Sequence, residues 1–347
     1  MTQFDPNGVG IANGNIFGFP YTENEADIVI IPIPWDATAS YGKGTSNGPQ
    51  AILDASTQLD FYHPELERAY DTKVYMAPIS KEWKEINDIC CEKGMRYIHF
   101  LEENGEEMAL EKYQSDVNEI NEAHEALRQN LKERSLELLQ QGKMVAVLGG
   151  EHSTPLGLIE ALNETYSDFG ILQIDAHADL REAYEGFQQS HASIMFNVLQ
   201  RCGNMSKLVQ VGIRDVSERE VQLSEQHNRI KTFYDWNLKN EAYVGKSWAQ
   251  QVDEIIASLP KNVYISFDID GLKPELCPHT GTPVAGGFEL QEISYLFFKL
   301  VDSGRKIIGF DLNEVAPSPE GDWDANVGAR ALWQLICAAG KSLRVEG

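Results

Sequence analysis

The chain has 347 residues, 42% of them hydrophobic, and a formal net charge of −24. That is enough apolar material for a full core without disulfide staples, and so acidic a surface repels nucleic acid and anionic membrane while attracting small cations. Five cysteines without a C-x-x-C pair suit a reducing compartment; the start lacks a basic segment followed by an apolar one, and no run approaches the roughly 18 apolar residues of a membrane span, so a cytoplasmic protein is expected.

The first strand-like run, residues 27–33, leads into a glycine-rich loop from Ser40 to Pro49 and a helix-like stretch from Gln50. Neither G-x-x-x-x-G-K-[ST] nor a G-x-G-x-x-G after a strand is present, so no nucleotide cradle is expected. A second run covers 73–77. Residues 81–111 are charged and only weakly periodic, which predicts an irregular excursion. Beyond them, Tyr113, Val117, Ile120, Leu127, Leu131 and Leu138 keep three-to-four spacing or its multiples. This predicts one long amphipathic helix ending near Gln141-Gly142, with His124 packed beside its apolar stripe.

Six more strand-like runs follow, at 144–148, 170–174, 208–212, 230–234, 263–267 and 306–310. Eight β-rich segments, most separated by enough chain for crossover helices, predict an α/β protein: a three-layer α/β/α arrangement with a mostly parallel eight-stranded sheet. Pattern alone leaves barrel closure open. The expected organisation is one domain over 1–347, with a helical or irregular excursion at about 80–141.

Three of these runs end in metal-ligand chemistry. Gly149-Gly150-Glu151-His152-Ser153 follows the third, Asp175-Ala176-His177-Ala178-Asp179 the fourth, and Asp268-Ile269-Asp270 the seventh. Side chains at i and i+2 of an extended backbone share a face, and open α/β sheets bind ligands at the carboxyl ends of their strands. A lone D-x-H-x-D is ordinarily just a solvated acidic loop; three such ends make a cluster. The candidate metal ligands are His152, Asp175, His177, Asp179, Asp268 and Asp270. Four carboxylates gathered in one dry cleft require neutralising cations, and two divalent ions balance them. Hard oxygen with some imidazole and no thiolate favours manganese(II).

These segments, in this order, resemble the ureohydrolase (arginase and agmatinase) family, from the Ser40 loop to Pro317. The resemblance implies a parallel eight-stranded α/β fold, a centre of two Mn2+ ions, and a homo-oligomer, trimer or hexamer. It implies that His152, Asp175, Asp179 and Asp268 bind one ion and His177, Asp175, Asp268 and Asp270 the other, with Asp175 and Asp268 bridging. The loop from Asp179 to Gly186, with Ser190-His191-Ala192-Ser193 after it, is similar to the agmatinase version. The first loop is similar too, although Gly42-Lys43 and Ser46-Asn47 depart from the usual arginine-containing form. Arg181 does not discriminate, because formimidoylglutamase relatives share it.

The implied reaction is hydrolysis of agmatine to putrescine and urea, a step of polyamine biosynthesis, by a hydroxide bridging the two metals. The implied catalytic residues are Asp179, shuttling a proton to the departing amine, His191, an acid/base or substrate-orienting group, and Glu314, gripping the guanidinium through two parallel N–H bonds. Thr282 is a candidate to support the same end of the substrate, with a loop-stabilising hydroxyl as the plain alternative. Glu182 or Glu185 is a candidate partner of the distal amine, and Trp35, Tyr41 and Tyr184 of the aliphatic chain. Guanidinobutyrate, guanidine, arginine and formimidoylglutamate are alternative substrates. A catalytically silent polyamine-binding or assembly subunit is the reading from another class; the complete set of six ligands with His191 and Glu314 weighs against it.

Overall fold

A computed structural model describes residues 4–345. In chain order the elements are β1 (Ile28–Pro32), α1 (Gly48–Ser56), β2 (Val74–Met76), α2 (Lys81–Asn104), α3 (Glu106–Gln140), β3 (Met144–Leu148), α4 (Leu156–Thr165) and β4 (Phe169–Ile174). Then come α5 (Ile194–Arg201), β5 (Met205–Ile213), α6 (Glu218–Gln226), β6 (Ile230–Tyr234), α7 (Asp235–Tyr243), α8 (Trp248–Ala257), β7 (Asn262–Asp268), α9 (Leu290–Asp302), β8 (Lys306–Asn313) and α10 (Trp323–Arg344). The eight strands form one sheet in the order β2-β1-β3-β8-β7-β4-β5-β6, every pairing parallel. The sheet is open, with β2 and β6 at its edges, so the barrel alternative falls away.

Strand composition explains the layering. Every residue of β3 and β4 is buried, because a parallel sheet carries helices on both faces. Alternation then sorts the side chains. Val145 and Val147 join Val29, Ile171 and Leu208 under α2, α3, α4 and α5, whereas Ala146 and Leu148 join Ile30, Leu172 and Ile265 under α1, α8, α9 and α10. Predicted and observed strands agree to within a few residues at each end; the largest extensions are at the amino end of β5 and the carboxyl end of β8.

The long helix ends where expected, with Gln141 capping it and Gly142 at φ 75°. The irregular excursion is not found: residues 81–104 are a regular helix whose first turn is capped by Ser80. Its buried face is Asn87, Cys90, Gly94, Tyr97 and Ile98. The spacing is helical, but an asparagine and a glycine sit on the inner face, so no continuous apolar stripe marks it. His124 is buried, with its ring nitrogen 3.0 Å from the Gln189 carbonyl. Among the described residues, no helix is long and apolar enough to cross a membrane.

Candidate metal centre and cleft

The central strands β3, β8, β7 and β4 are adjacent in the sheet, and the turns at their carboxyl ends supply His152, Glu314, Asp268 with Asp270, and Asp175 to Asp179. All six predicted ligands converge there. The turn after β3 is possible only with glycine: a Cβ on Gly149 would lie 1.8 Å from Asn313 Oδ1, and one on Gly150 would lie 2.0 Å from the Trp35 carbonyl oxygen. That close approach delivers His152 to the middle of the crevice.

Ligand atoms of His152, Asp175 and Asp179 lie within 4.8 Å of one another, as do those of Asp175, His177 and Asp270, so Asp175 belongs to both groups. Asp268 joins the first through Oδ2, 3.2 Å from His152 Nδ1. Backbone amides anchor most of the carboxylates by one oxygen. Asp175 Oδ1 accepts from His177 N at 2.7 Å, Asp268 Oδ1 from Asp270 N at 2.9 Å, and Asp270 Oδ1 from Ala176 N at 3.0 Å. The second oxygens of Asp268 and Asp270 face the imidazoles.

The tautomer of His152 tests whether a cation fits. Its Nε2 lies 2.9 Å from Ser266 Oγ, and that hydroxyl donates to Asp311 Oδ1 at 3.1 Å. Ser266 therefore accepts from the ring, which puts the proton on Nε2 and a lone pair on Nδ1. Nδ1 sits 3.0 Å from Asp175 Oδ2 and 3.1 Å from Asp179 Oδ2, yet makes no aligned hydrogen bond. Across the cleft, His177 Nδ1 is 2.9 Å from Asp270 Oδ2, an oxygen also without an aligned bond. Carboxylate oxygens and an imidazole nitrogen converge on each of two points, where a cation would take the place of a proton. Divalent cations fit both points, and the donors are of the hard type.

The side-chain electrostatics express the same crowding. Burial, then neighbouring Asp175, pushes Asp179 up to about 7; burial, then Asp270, raises Asp268 and Asp175. Burial also acts on Asp270, but His177 and the Ala176 amide overcome it and bring it down to about 2. Burial opposes charge on His152 and His177, and the surrounding carboxylates still hold both well above the ordinary imidazole value.

A cleft of about 280 Å³ opens over this centre, lined in part by Asp179, His191, Thr282 and Glu314. Glu314 Oε1 accepts from His152 N at 2.8 Å. Burial, then the nearby Glu151, holds its pKa well above the usual carboxylate range. Asp179 and Glu314 adopt left-handed backbone, φ 55° and 65°, a strain that non-glycine residues tolerate where a site requires it. The ring of His191 packs edge-on against Tyr184, with centroids 5.7 Å apart. Burial, His177 and Lys43 push its pKa down to about 3, so it is neutral.

Some candidates are not among the residues lining the cleft. Tyr184 lines it, but Trp35 is fully buried beneath and Tyr41 is 82% exposed outside. Glu182 is exposed and Glu185 faces α2 through Glu102, and neither lines the cleft. The cleft is lined further by Arg181, Asp215, Val216, Ser217, Glu220 and Ser40. Asp215 was missed by the sequence reading, although its place just past β5 was a signal: another carboxylate at a strand's carboxyl end. Glu151, also unassigned, accepts from Thr38 Oγ1 at 2.6 Å and Ser153 Oγ at 2.7 Å, tying the first loop to the ligand turn.

An open parallel α/β sheet with paired His/Asp groups at its central strand ends defines a metal-type hydrolase. The comparisons identify which. The model of the arginase family matches residues 26–338, and the chain belongs to that family, whose enzymes are metal amidinohydrolases. It is 32% identical over 313 residues to an N(1)-aminopropylagmatine ureohydrolase of Thermus thermophilus, covering 90% of this chain and 89% of the relative. It is 28% identical over 291 residues to an agmatinase of Halalkalibacterium halodurans, covering 84% of each. Its fold is similar to that of the agmatine ureohydrolase of Thermoplasma volcanium, with a TM-score of 0.73, 22% identity and 96% of each chain covered.

Proposed function

We propose that this protein is a manganese-dependent amidinohydrolase that converts agmatine and water to putrescine and urea. The observation that carries the reading is the Asp175-sharing pair of His/Asp groups at the floor of a cleft that also presents the buried Glu314 carboxylate. His152, Asp175, Asp179 and Asp268 would hold one ion, and His177, Asp175, Asp268 and Asp270 the other. When bound, two such ions acidify water to supply a nucleophile and offset the charge of a tetrahedral intermediate.

The chain's own residues supply the rest. A guanidinium carbon is a poor electrophile, since its charge is spread over three nitrogens, and it must be held in place. Glu314 is fixed through Oε1 by the His152 amide and offers Oε2 to the planar cation. His191, kept neutral, orients the same group by accepting an N–H at its free nitrogen, and Thr282 supports it from the facing loop. Asp179, at the floor, carries a proton to the leaving amine. An acidic molecule of net charge −24 favours the approach of a cationic substrate. A homo-oligomer, trimer or hexamer, is part of this reading.

One observation favours a longer substrate, N(1)-aminopropylagmatine: the cleft is also lined by Asp215, 71% exposed with Oδ2 4.0 Å from His177 Nε2, a further carboxylate for a second ammonium. Manganese-loaded protein incubated with agmatine, N(1)-aminopropylagmatine, arginine, guanidinobutyrate, guanidine and formimidoylglutamate, with urea and formamide both measured, tests the assignment. Urea from agmatine is expected. Formamide alone, or no product from any of the six, sinks it.

A further inference from the structure

The α2–α3 hairpin grips both walls of the cleft. On α2, Asn87 meets Asp36 twice: its Oδ1 accepts the Asp36 amide at 2.7 Å and its Nδ2 donates to Asp36 Oδ1 at 3.1 Å. Asp36 Oδ2 in turn accepts the amides of Gly44 and Ser46 at 2.9 and 3.2 Å. Residues 36–46 are thus folded around one carboxylate that α2 holds. Two turns further along the same face, a Cβ on Gly94 would lie 2.8 Å from the Ala37 carbonyl oxygen, so the helix runs directly against this loop's backbone. The loop brings Ser40 to the cleft and Thr38 to Glu151.

On α3, Asn121 does the same for the opposite wall. Its Nδ2 donates to the Gly186 carbonyl at 3.2 Å and its Oδ1 accepts the Gln188 amide at 2.9 Å. One turn on, His124 hydrogen-bonds the Gln189 carbonyl at 3.0 Å, and its ring packs 5.1 Å from that of Trp35, the neighbour of Asp36. Residues 181–191 bring Arg181, Tyr184 and His191 to the cleft. Neither asparagine lines the cleft or touches the metal-ligand side chains.

We propose that Asn87 and Asn121 are positioning residues, through which the hairpin sets the separation of the two cleft walls and so the fit of the chain attached to the guanidino group. This rests on the guanidine-hydrolase reading for the identity of the ligand, while the brace itself rests on the hydrogen bonds. Each asparagine makes two hydrogen bonds to a different wall, Asn87 alongside Cys91 Sγ, which lies 3.1 Å from Asp36 Oδ1, so loss of either loosens one wall and leaves the other held.

The test uses full-length Asn87→Ala and Asn121→Ala, with Asn104→Ala as a control. Asn104 is exposed at the end of α2, and among the described residues its side chain bonds the Phe100 carbonyl of its own helix and no other group. Hydrogen exchange, bound metal, agmatine affinity by calorimetry, and KM and kcat are measured for each. Asn87→Ala is expected to accelerate exchange within 36–46 alone, Asn121→Ala within 181–191 alone, and the control in neither. Metal content stays at the wild-type level, while agmatine affinity and KM weaken by about five- to tenfold with kcat within about twofold. Unchanged exchange in both loops, acceleration spread over the whole chain, or unchanged affinity despite a released wall would each overturn the proposal. Wild-type protein that binds agmatine but yields no urea ends the hydrolase reading and leaves the brace to be judged on affinity and exchange. No binding by the wild type ends both.

Discussion

Ser266 does for His152 what a metal ligand cannot do for itself: it decides which ring nitrogen carries the proton. Behind it, Asp311 is fully buried and accepts from Ser266 Oγ and from the Phe267 amide, at 3.1 and 3.2 Å, which holds the hydroxyl in one orientation. Ser266→Ala removes the acceptor for Nε2–H and lets the ring flip or change tautomer. Metal affinity, measured by calorimetry on the apoprotein, is expected to fall by about 10- to 100-fold; affinity within twofold of wild type would count against the relay. The convergence of the six candidate ligands was legible because D-x-H-x-D, an isolated His and D-x-D stand at strand ends. Ser266, two residues before Asp268, was not legible, since a serine in a strand carries no such signature. Its role depends on β8 lying beside β7, which adjacent sequence does not encode.

At the level of elements, the strands were readable because each is a short apolar run with its own turn, whereas α2 was not, because its inner face is built to meet polar loop backbone. Glu185 shows how the hairpin and the loop share an electrostatic environment. Burial, then Glu102 on α2, pushes its carboxyl up to about 7, against Lys43 and Arg181, which lower it, while Tyr97 on α2 faces it as well. The folded protein therefore binds this proton more tightly than the unfolded chain, whose value is near 4.5. Stability tied to the neutral acid is complete below the unfolded value and is lost as pH rises through about 7. Glu185→Gln is neutral throughout, so its thermal midpoint should exceed that of wild type at about pH 8 and match it at about pH 5. The same difference at both pH values would assign the effect to packing instead.

Across the whole molecule, cations and fold are coupled. Four carboxylates and two imidazoles gathered at the strand ends repel or go unsatisfied unless ions sit among them, so ions that bind only the folded state stabilise it by mass action. Chelator dialysis is expected to lower the thermal midpoint by on the order of 5 °C, with Mn2+ restoring it and Ca2+ restoring less. An apoprotein as stable as the metal-loaded form would mean the carboxylates had already relaxed by taking up protons. Among the described residues, one sheet carries every strand from 28 to 313.

The order of that sheet has a consequence for how the centre comes into being. β8, the last strand synthesised, is not at an edge; it lies between β3 and β7. Until it emerges and inserts, the turn bearing His152 has nothing to hold it beside the turns bearing Asp175 and Asp268. A chain lacking β8 would therefore carry all six candidate ligands without the strand that lies between their turns. Truncation ahead of β8 is expected to abolish metal binding, read by calorimetry, even though every candidate ligand is retained.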